Sequence, residues 1–507
     1  MLNSPPEISP TEDQTPRELA RLGIVAVVFA LSGVLSYAVP GSERVRPWLP
    51  GEGLPIARMY ADRTDDLPEF AEASVHTNVD VGVKQIERQL GSQIARNLGG
   101  AATGIEPRAQ GPAGAVPSIA PAEYEGITQQ IEHPEVLTTF FASLEQTASQ
   151  KPSARTRVAH YGDSAVAADG ITSTLRRRMQ QRFGDAGHGF ILIARGDMHY
   201  NHRDVVQRSS DGWQVMSIVR DGLRPGYYGY GGVQARAGAG EYAFFGTVDD
   251  GERGRSVASF ELYYQRFRGG GAIEIKVEGK KQSTLQTQGD AIEDAFERVE
   301  LPDGPHALTL RMLGAETHLY GVALERSTPG VIYDSLGLVG ARADRLLNAD
   351  PAHMRTQIEH RSPDLLVLSF GGNESANAWL NPDQYERDLE KVVRFMRSTK
   401  PEMACLLFGP LDQAERNDRG QIVTLPIVPK IVAVQRRVAE REKCAFFDAF
   451  SAMGGDGAMA AWQKSRPRLG TSDLHHATPA GYEVIGNLYY KAILKAFADY
   501  LAAHPAP

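Results

Sequence analysis

The chain has 507 residues, 42% of them hydrophobic, which is enough apolar material for a large core and too much length for one ordinary domain. With 23% charged residues and a formal net charge of -8 it lacks the basic face of a nucleic-acid binder. Its only two cysteines, Cys405 and Cys444, exclude a disulfide framework and a cysteine-based zinc cluster; each lies in an apolar run (ACLLF, CAFF) and is expected to be a buried core thiol.

In chain order, residues 1–21 are polar and proline-containing, the composition of a short cytoplasmic tail. An uncharged run follows, LGIVAVVFALSGVLSYAV, starting at Leu22 and ending at Val39. It is just long enough to span a bilayer as a helix. Arg17 and Arg21 precede it, so the positive-inside rule keeps the N-terminus in the cytoplasm and exports the rest. Ser36-Tyr37-Ala38 also reads as a small-x-small cleavage site, which makes a secreted protein the alternative to an inner-membrane anchor. Residues 40–123 form a stalk or linker: a helix candidate in VGVKQIERQLGSQIARNL, then a Gly-, Ala- and Pro-rich stretch from Gly99 to Glu123.

Beyond the linker the texture changes. PEVLTTFFASLEQTA predicts a helix, RTRVAHY a short strand, and GITSTLRRRMQQRF a helix whose stripe is Ile171, Leu175, Met179 and Phe183. Residues 205–326 carry period-two runs (Phe260, Leu262, Tyr264; Ile273, Ile275, Val277; Leu308, Leu310, Met312; Tyr320, Val322, Leu324) broken by Gly clusters and Asp-Gly pairs. That pattern predicts an antiparallel β-sandwich. Alternation then resumes: GVIYDSLGL, SPDLLVLSF, ACLLFGP and CAFFDAF as strands, with helices between them and PAGYEVIGNLYYKAILKAFADYL as the last helix. Alternating strands and helices predict a parallel sheet covered on both faces, with sites at the carboxyl ends of its strands.

Several polar residues fall at such ends. In YGDSAVAADG, Ser164 follows a strand and precedes a helix; it suits a helix cap as well as a nucleophile. A nucleophilic serine needs a base and a group that orients the base. TSDLHHATPAGY offers Asp473 and His476, three apart; His475 competes, and the spacing from Asp473 favours His476. A metal reading of that Asp-His-His cluster lacks a third-ligand motif. Oxyanion donors come from the strand exits: Asn373 in GGN, and a backbone N–H at Gly340 in LGLVGA, with Gly337 as its substitute. The elbow G-x-S-x-G is absent; Tyr333-Asp334-Ser335-Leu336-Gly337 lacks its first glycine.

Taken in order, GDS at Gly162–Ser164, the LGLVGA loop, GGN at Gly371–Asn373 and DLHHATPAGY resemble the blocks of the GDSL, or SGNH, hydrolases. The resemblance implies a three-layer α/β/α hydrolase domain over residues 124–204 and 327–507. It implies Ser164 as nucleophile, His476 as base, Asp473 as its orienter, and an oxyanion hole of Ser164 N–H, Gly340 N–H and the Asn373 amide, with no metal and no organic cofactor. Glu374 stands where relatives often carry Asp. The β insertion between the first two blocks resembles bacterial peptidoglycan O-acetylesterases, which implies an O-acetylated polysaccharide substrate and a carbohydrate-binding-like role for residues 205–326. There Trp213, Tyr227, Tyr228 and Tyr230 are candidate sugar contacts, or else sandwich packing. An O-acetyltransferase, a lipase or thioesterase, and a non-catalytic glycan-binding protein are the alternatives.

Overall fold

In the computed structural model of the chain, residues 118–505 are described, apart from position 221. The predicted membrane segment, the tail and most of the linker lie outside the described residues. No helix among the described residues is long and apolar enough to cross a membrane.

The sheet that carries the site has five strands, β1 (Arg155–Gly162), β2 (Gly330–Gly337), β3 (Leu365–Ser369), β4 (Ala404–Phe408) and β5 (Ala445–Phe447). They are parallel and lie in the order β2-β1-β3-β4-β5. Period-two alternation sends their side chains to two cores. Val158, Val367, Leu406 and Phe447 face one layer, which includes α1 (Thr138–Ala148), α2 (Gly170–Phe183) and the C-terminal helix. Leu366, Leu368, Leu407 and Phe446 face the other, which includes α3 (Pro351–Arg361), α4 (Pro382–Thr399) and α5 (Val428–Arg441). The last helix, α6 (Pro479–Ala503), starts at Thr478, whose hydroxyl accepts from Gly481 N–H, with Pro479 at its first position. Ile171, Leu175, Met179 and Phe183 are all buried against it and the sheet.

Two antiparallel sheets interrupt this unit between β1 and β2. One runs Glu293–Gly304, Val257–Arg266, Thr317–Glu325, Val233–Ala237, Gln214–Ser217. The other runs Val206–Ser209, Tyr242–Gly246, Ala307–Leu313, Ala272–Val277, Lys280–Gln286. Phe260, Leu262 and Val322 of the first meet Phe245, Ile275 and Leu310 of the second in a separate core. The antiparallel pairing starts ahead of residue 205, because Gly189–Leu192 already pairs with Thr317–Glu325.

Two expectations are corrected here. Cys405 and Cys444 are not thiols but a disulfide. Cys405 lies on β4 and Cys444 precedes β5, one step beyond the Leu406–Ala445 pair, so the parallel register brings them side by side. Replacing both by alanine is expected to cost about 4 kcal/mol on the loop-closure relation, for a separation of 39 residues; urea unfolding without reductant, compared with wild type, measures it. Second, Trp213, Tyr228 and Tyr230 are buried and do not present their faces to a sugar. Trp213 Nε1–H donates to the Tyr242 carbonyl. The Tyr228 hydroxyl accepts from Gly222 and Leu223 N–H, and the Tyr230 hydroxyl donates to Asp334. Tyr227 is half-buried, its ring centroid 5.1 Å from that of His353.

Candidate active site

Ser164 sits where β1 ends and the short helix Ser164–Ala167 begins. The cap of that turn is Asp163, whose Oδ1 accepts from Ala165 N–H at 3.1 Å, so the serine hydroxyl is not spent on capping. The turn is pressed onto the sheet by two glycines paired across β1 and β2. A Cβ on Gly162 would stand 2.4 Å from Val166 Cγ2, and one on Gly337 would stand 2.0 Å from the Ala167 nitrogen. Gly337 therefore makes room for the helix that presents Ser164.

The second half of the site comes from the loop before α6. A bridge between Gly470 and Ala477 closes it, Thr478 N–H donates to the Leu469 carbonyl, and Ala414 N–H donates to the Leu474 carbonyl. Inside this loop Asp473 Oδ1 accepts from the Thr471 hydroxyl at 2.5 Å, His475 N–H at 2.8 Å and His476 N–H at 3.0 Å. The other carboxylate oxygen, Oδ2, lies 2.7 Å from His476 Nδ1. His476 Nε2 lies 3.0 Å from Ser164 Oγ, across 312 residues of chain. His475 turns instead to Gln413 Oε1, 3.2 Å from its Nδ1.

The electrostatics suit proton transfer. Partial burial works to raise the Asp473 carboxyl, but the hydrogen bonds from His476, Thr471 and His475 outweigh it and hold the group well below the usual carboxylate range. Its bond to Asp473 raises the His476 imidazole above its ordinary value, against a smaller lowering by burial. A base must be neutral to accept a proton, so ester hydrolysis is expected to climb as pH rises through the His476 pKa. Asp473→Asn removes the largest cause of that elevation; it should move the ascending limb of the kcat/KM profile to lower pH while lowering kcat. A limb that stayed in place would assign it to another group.

Ser164 and His476 line an open depression of about 210 Å³ at the carboxyl edge of the sheet, with Asn373 and Gly372 after β3, and Phe408 and Gln413 at and after the end of β4. Apolar walls come from Ile171, Phe370, Pro410, Leu411 and Tyr482. Asn373 Nδ2 donates one hydrogen to the Ala341 carbonyl at 2.8 Å. An amide nitrogen carries two hydrogens, so the second is left for the depression, with its orientation set by the first. Gly340 is not part of the lining; it lies at φ +77 in a turn closed by Ala341 N–H to the Leu338 carbonyl. The structure thus joins Ser164, Asp473, His476 and Asn373, and leaves Gly340 one residue from the carbonyl that Asn373 grips.

Two further buried carboxylates stand at the site. Glu374, buried after Asn373, accepts from Ala343 N–H with Oε1 at 2.9 Å and from Gly371 N–H with Oε2 at 3.0 Å. It ties the Gly340 loop to the Asn373 turn. Burial pushes its pKa up to about 7 in spite of those donors. Glu374→Gln would offer one oxygen to two donors, and its kcat on small esters is expected to fall about tenfold with KM nearly unchanged, the pattern of a lost transition-state contact. Asp163 is the other. Its burial raises it to about 6, and it lines the depression beside His476.

Residues 308–484 match the GDSL-like Lipase/Acylhydrolase family model. That span holds Gly340, Asn373, Asp473 and His476 and does not include Ser164. No curated protein matches the chain by sequence. Among solved structures, a peptidoglycan O-acetylesterase is similar at TM-score 0.61 and 22% identity, over 71% of this chain and 96% of that one. This likeness shows the fold. A salicylyl-acyltransferase from a tetracycline biosynthetic pathway is similar at 13% identity over 59% of this chain and 95% of its own, TM-score 0.25. A GDSL-like lipase from Bacteroides thetaiotaomicron VPI-5482 is similar at 23% identity over 33% and 76%, TM-score 0.24. The last two superpose too little of the chain to bear on its chemistry.

Proposed function

We propose that this chain, a serine hydrolase of the GDSL/SGNH type, removes O-acetyl groups from a cell-envelope glycan, with peptidoglycan as the first substrate to test. The observation that carries the reading is the relay Ser164 Oγ, His476 Nε2, His476 Nδ1, Asp473 Oδ2, with its 3.0 and 2.7 Å steps, opening into a shallow depression. Ser164 Oγ attacks the acetyl carbonyl and His476 takes its proton. Asp473, held ionised, stabilises the imidazolium. The Ser164 N–H and the free Asn373 amide hydrogen face the oxyanion, and Gly340 N–H completes the set if its loop closes on substrate. The ester C–O bond then breaks and the sugar oxygen leaves with the proton from His476. Water attacks the acetyl-enzyme, His476 again acting as base, and acetate departs.

The disulfide supports an oxidising compartment, and with it export through the run from Leu22 to Val39 into the periplasm. The fold shared with the peptidoglycan O-acetylesterase and the inserted sandwich support a glycan ester. The test is acetate release from O-acetylated peptidoglycan, from other acetylated polysaccharides and from p-nitrophenyl acetate. Preference for the peptidoglycan sustains the proposal. Acetate transferred to an acceptor glycan in place of water would make the protein a transferase, and activity confined to long-chain esters would make it a lipase.

A further inference from the structure

Five large apolar side chains are exposed among the described residues: Met198, Tyr242, Ile292, Leu347 and Trp379. Trp379 is the extreme case at 93% exposed, and the most costly to leave in water by its apolar area. Its place in the chain is what gives it meaning. Asn373 and Ala376 line the depression that holds Ser164, and Trp379 follows Ala376 by three residues. Three residues reach at most about 11 Å, so the Trp379 backbone lies within that distance of a residue lining the site.

The turn that presents it is built. Asn377 N–H donates to the Glu374 carbonyl, and Leu380 N–H closes back on the Asn377 carbonyl, both at 3.0 Å. Trp379 N–H donates to Asn377 Oδ1 at 3.1 Å. At one end the turn is anchored on Glu374, itself fixed by two backbone donors; at the other it runs into Asn381, whose side chain caps α4 through Asp383 and Gln384 N–H. A hydrogen-bonded turn that holds an aromatic face in solvent, a few residues along the chain from the lining of the depression, has the form of a ligand platform: less ordering entropy is lost when a ring settles on it. Flat apolar faces with polar edges are what pyranose rings offer, and an indole face covers the C–H side while leaving the hydroxyls in water.

We propose that Trp379 is a sugar-stacking subsite, which binds the unit of a β-1,4-linked N-acetylhexosamine chain next to the one whose ester is attacked. This rests on the glycan-esterase reading for its chemistry, and the experiment separates the two. Trp379→Ala and Trp379→Phe are compared with wild type by calorimetric titration with chitohexaose, by kinetics on O-acetylated peptidoglycan, and by kinetics on p-nitrophenyl acetate. The alanine variant is expected to bind chitohexaose about tenfold more weakly, the order expected when an aromatic face no longer covers ring surface. It should raise KM on the polymer by a similar factor at unchanged kcat, and hydrolyse the small ester at the wild-type rate. The phenylalanine variant, which keeps a face, should recover most of the binding. Equal chitohexaose affinity in wild type and the alanine variant, or none in wild type, overturns the subsite whatever the esterase does. Trp379-dependent chitohexaose binding without acetate release from any acetylated glycan sustains the subsite and sinks the esterase reading.

Discussion

Ser164→Ala is expected to lower kcat on any ester by a factor on the order of 10⁵–10⁶, leaving only what the donors and binding contribute without a nucleophile. The fold should survive, since Asp163 supplies the cap of that turn and the Ser164 hydroxyl meets only His476 Nε2. An unchanged unfolding midpoint beside lost turnover is therefore the predicted pair of readings. His476→Ala should cost nearly as much, and the double variant little more, because nucleophile and base act as one unit. The nearest rival nucleophile is Ser335, in the partial elbow motif of β2. It is buried and its hydroxyl donates to the Val166 carbonyl at 3.0 Å, so it is held as a strut under the Ser164 helix. A Ser164→Ala variant that kept more than a percent or so of wild-type turnover would remove this assignment and the relay with it.

What the sequence made legible was whatever is local. The stripe of α2, the alternation of the sandwich strands, the Thr478-Pro479 start of α6 and the Asp473–His476 spacing each sit within one element or one turn, where side-chain period and capping chemistry decide. What it hid depended on register between distant segments. Cys405 and Cys444 read as two apolar runs because nothing in either run states that β4 and β5 are neighbours offset to align them. The GYYGYGG tyrosines left sugar contact and packing both open, because the partners that bury them, Asp334 for Tyr230 and the Gly222–Leu223 amides for Tyr228, are invisible along the chain. Trp379 escaped notice for the converse reason: a lone Trp before an Asn-Pro helix start looks like packing until the structure leaves it uncovered. The role of Glu374 was equally hidden, because its two donors, Ala343 and Gly371, come from separate strand exits.

Arg361→Met is expected to destabilise the protein by about 3–5 kcal/mol, the cost of leaving buried carboxylates without their partner. Arg361 leaves α3 into the seam between the parallel sheet and the sandwich. Its Nε and one terminal nitrogen each donate to Asp334 of β2 at 2.8 Å, and the other terminal nitrogen donates to Glu325 of the sandwich strand Thr317–Glu325. Arg157 of β1 also donates to Glu325, at 3.1 Å, while Phe190 N–H and the Tyr230 hydroxyl complete Asp334. The three central groups are all buried, so water cannot replace a missing donor. In wild type burial works to raise the Glu325 carboxyl, but Arg361 and Arg157 outweigh it and bring it down to about 2, so its ionised form stabilises the fold above the unfolded carboxylate range and that contribution fades only as pH falls toward 2. Without Arg361 only Arg157 is left to oppose the burial that works to raise the Glu325 carboxyl, so the charged form is less well held in the folded state and the variant loses stability relative to wild type as pH climbs. The gap between wild type and Arg361→Met should therefore be small near pH 4 and widen toward pH 8. Adding Asp334→Asn and Glu325→Gln to the variant should recover part of the loss, since it removes the charges that were stranded. Urea unfolding across that pH range measures all three chains. A gap that did not grow with pH would mean that the seam is held by packing of Phe190, Tyr230 and Tyr263, and not by this cluster of charges.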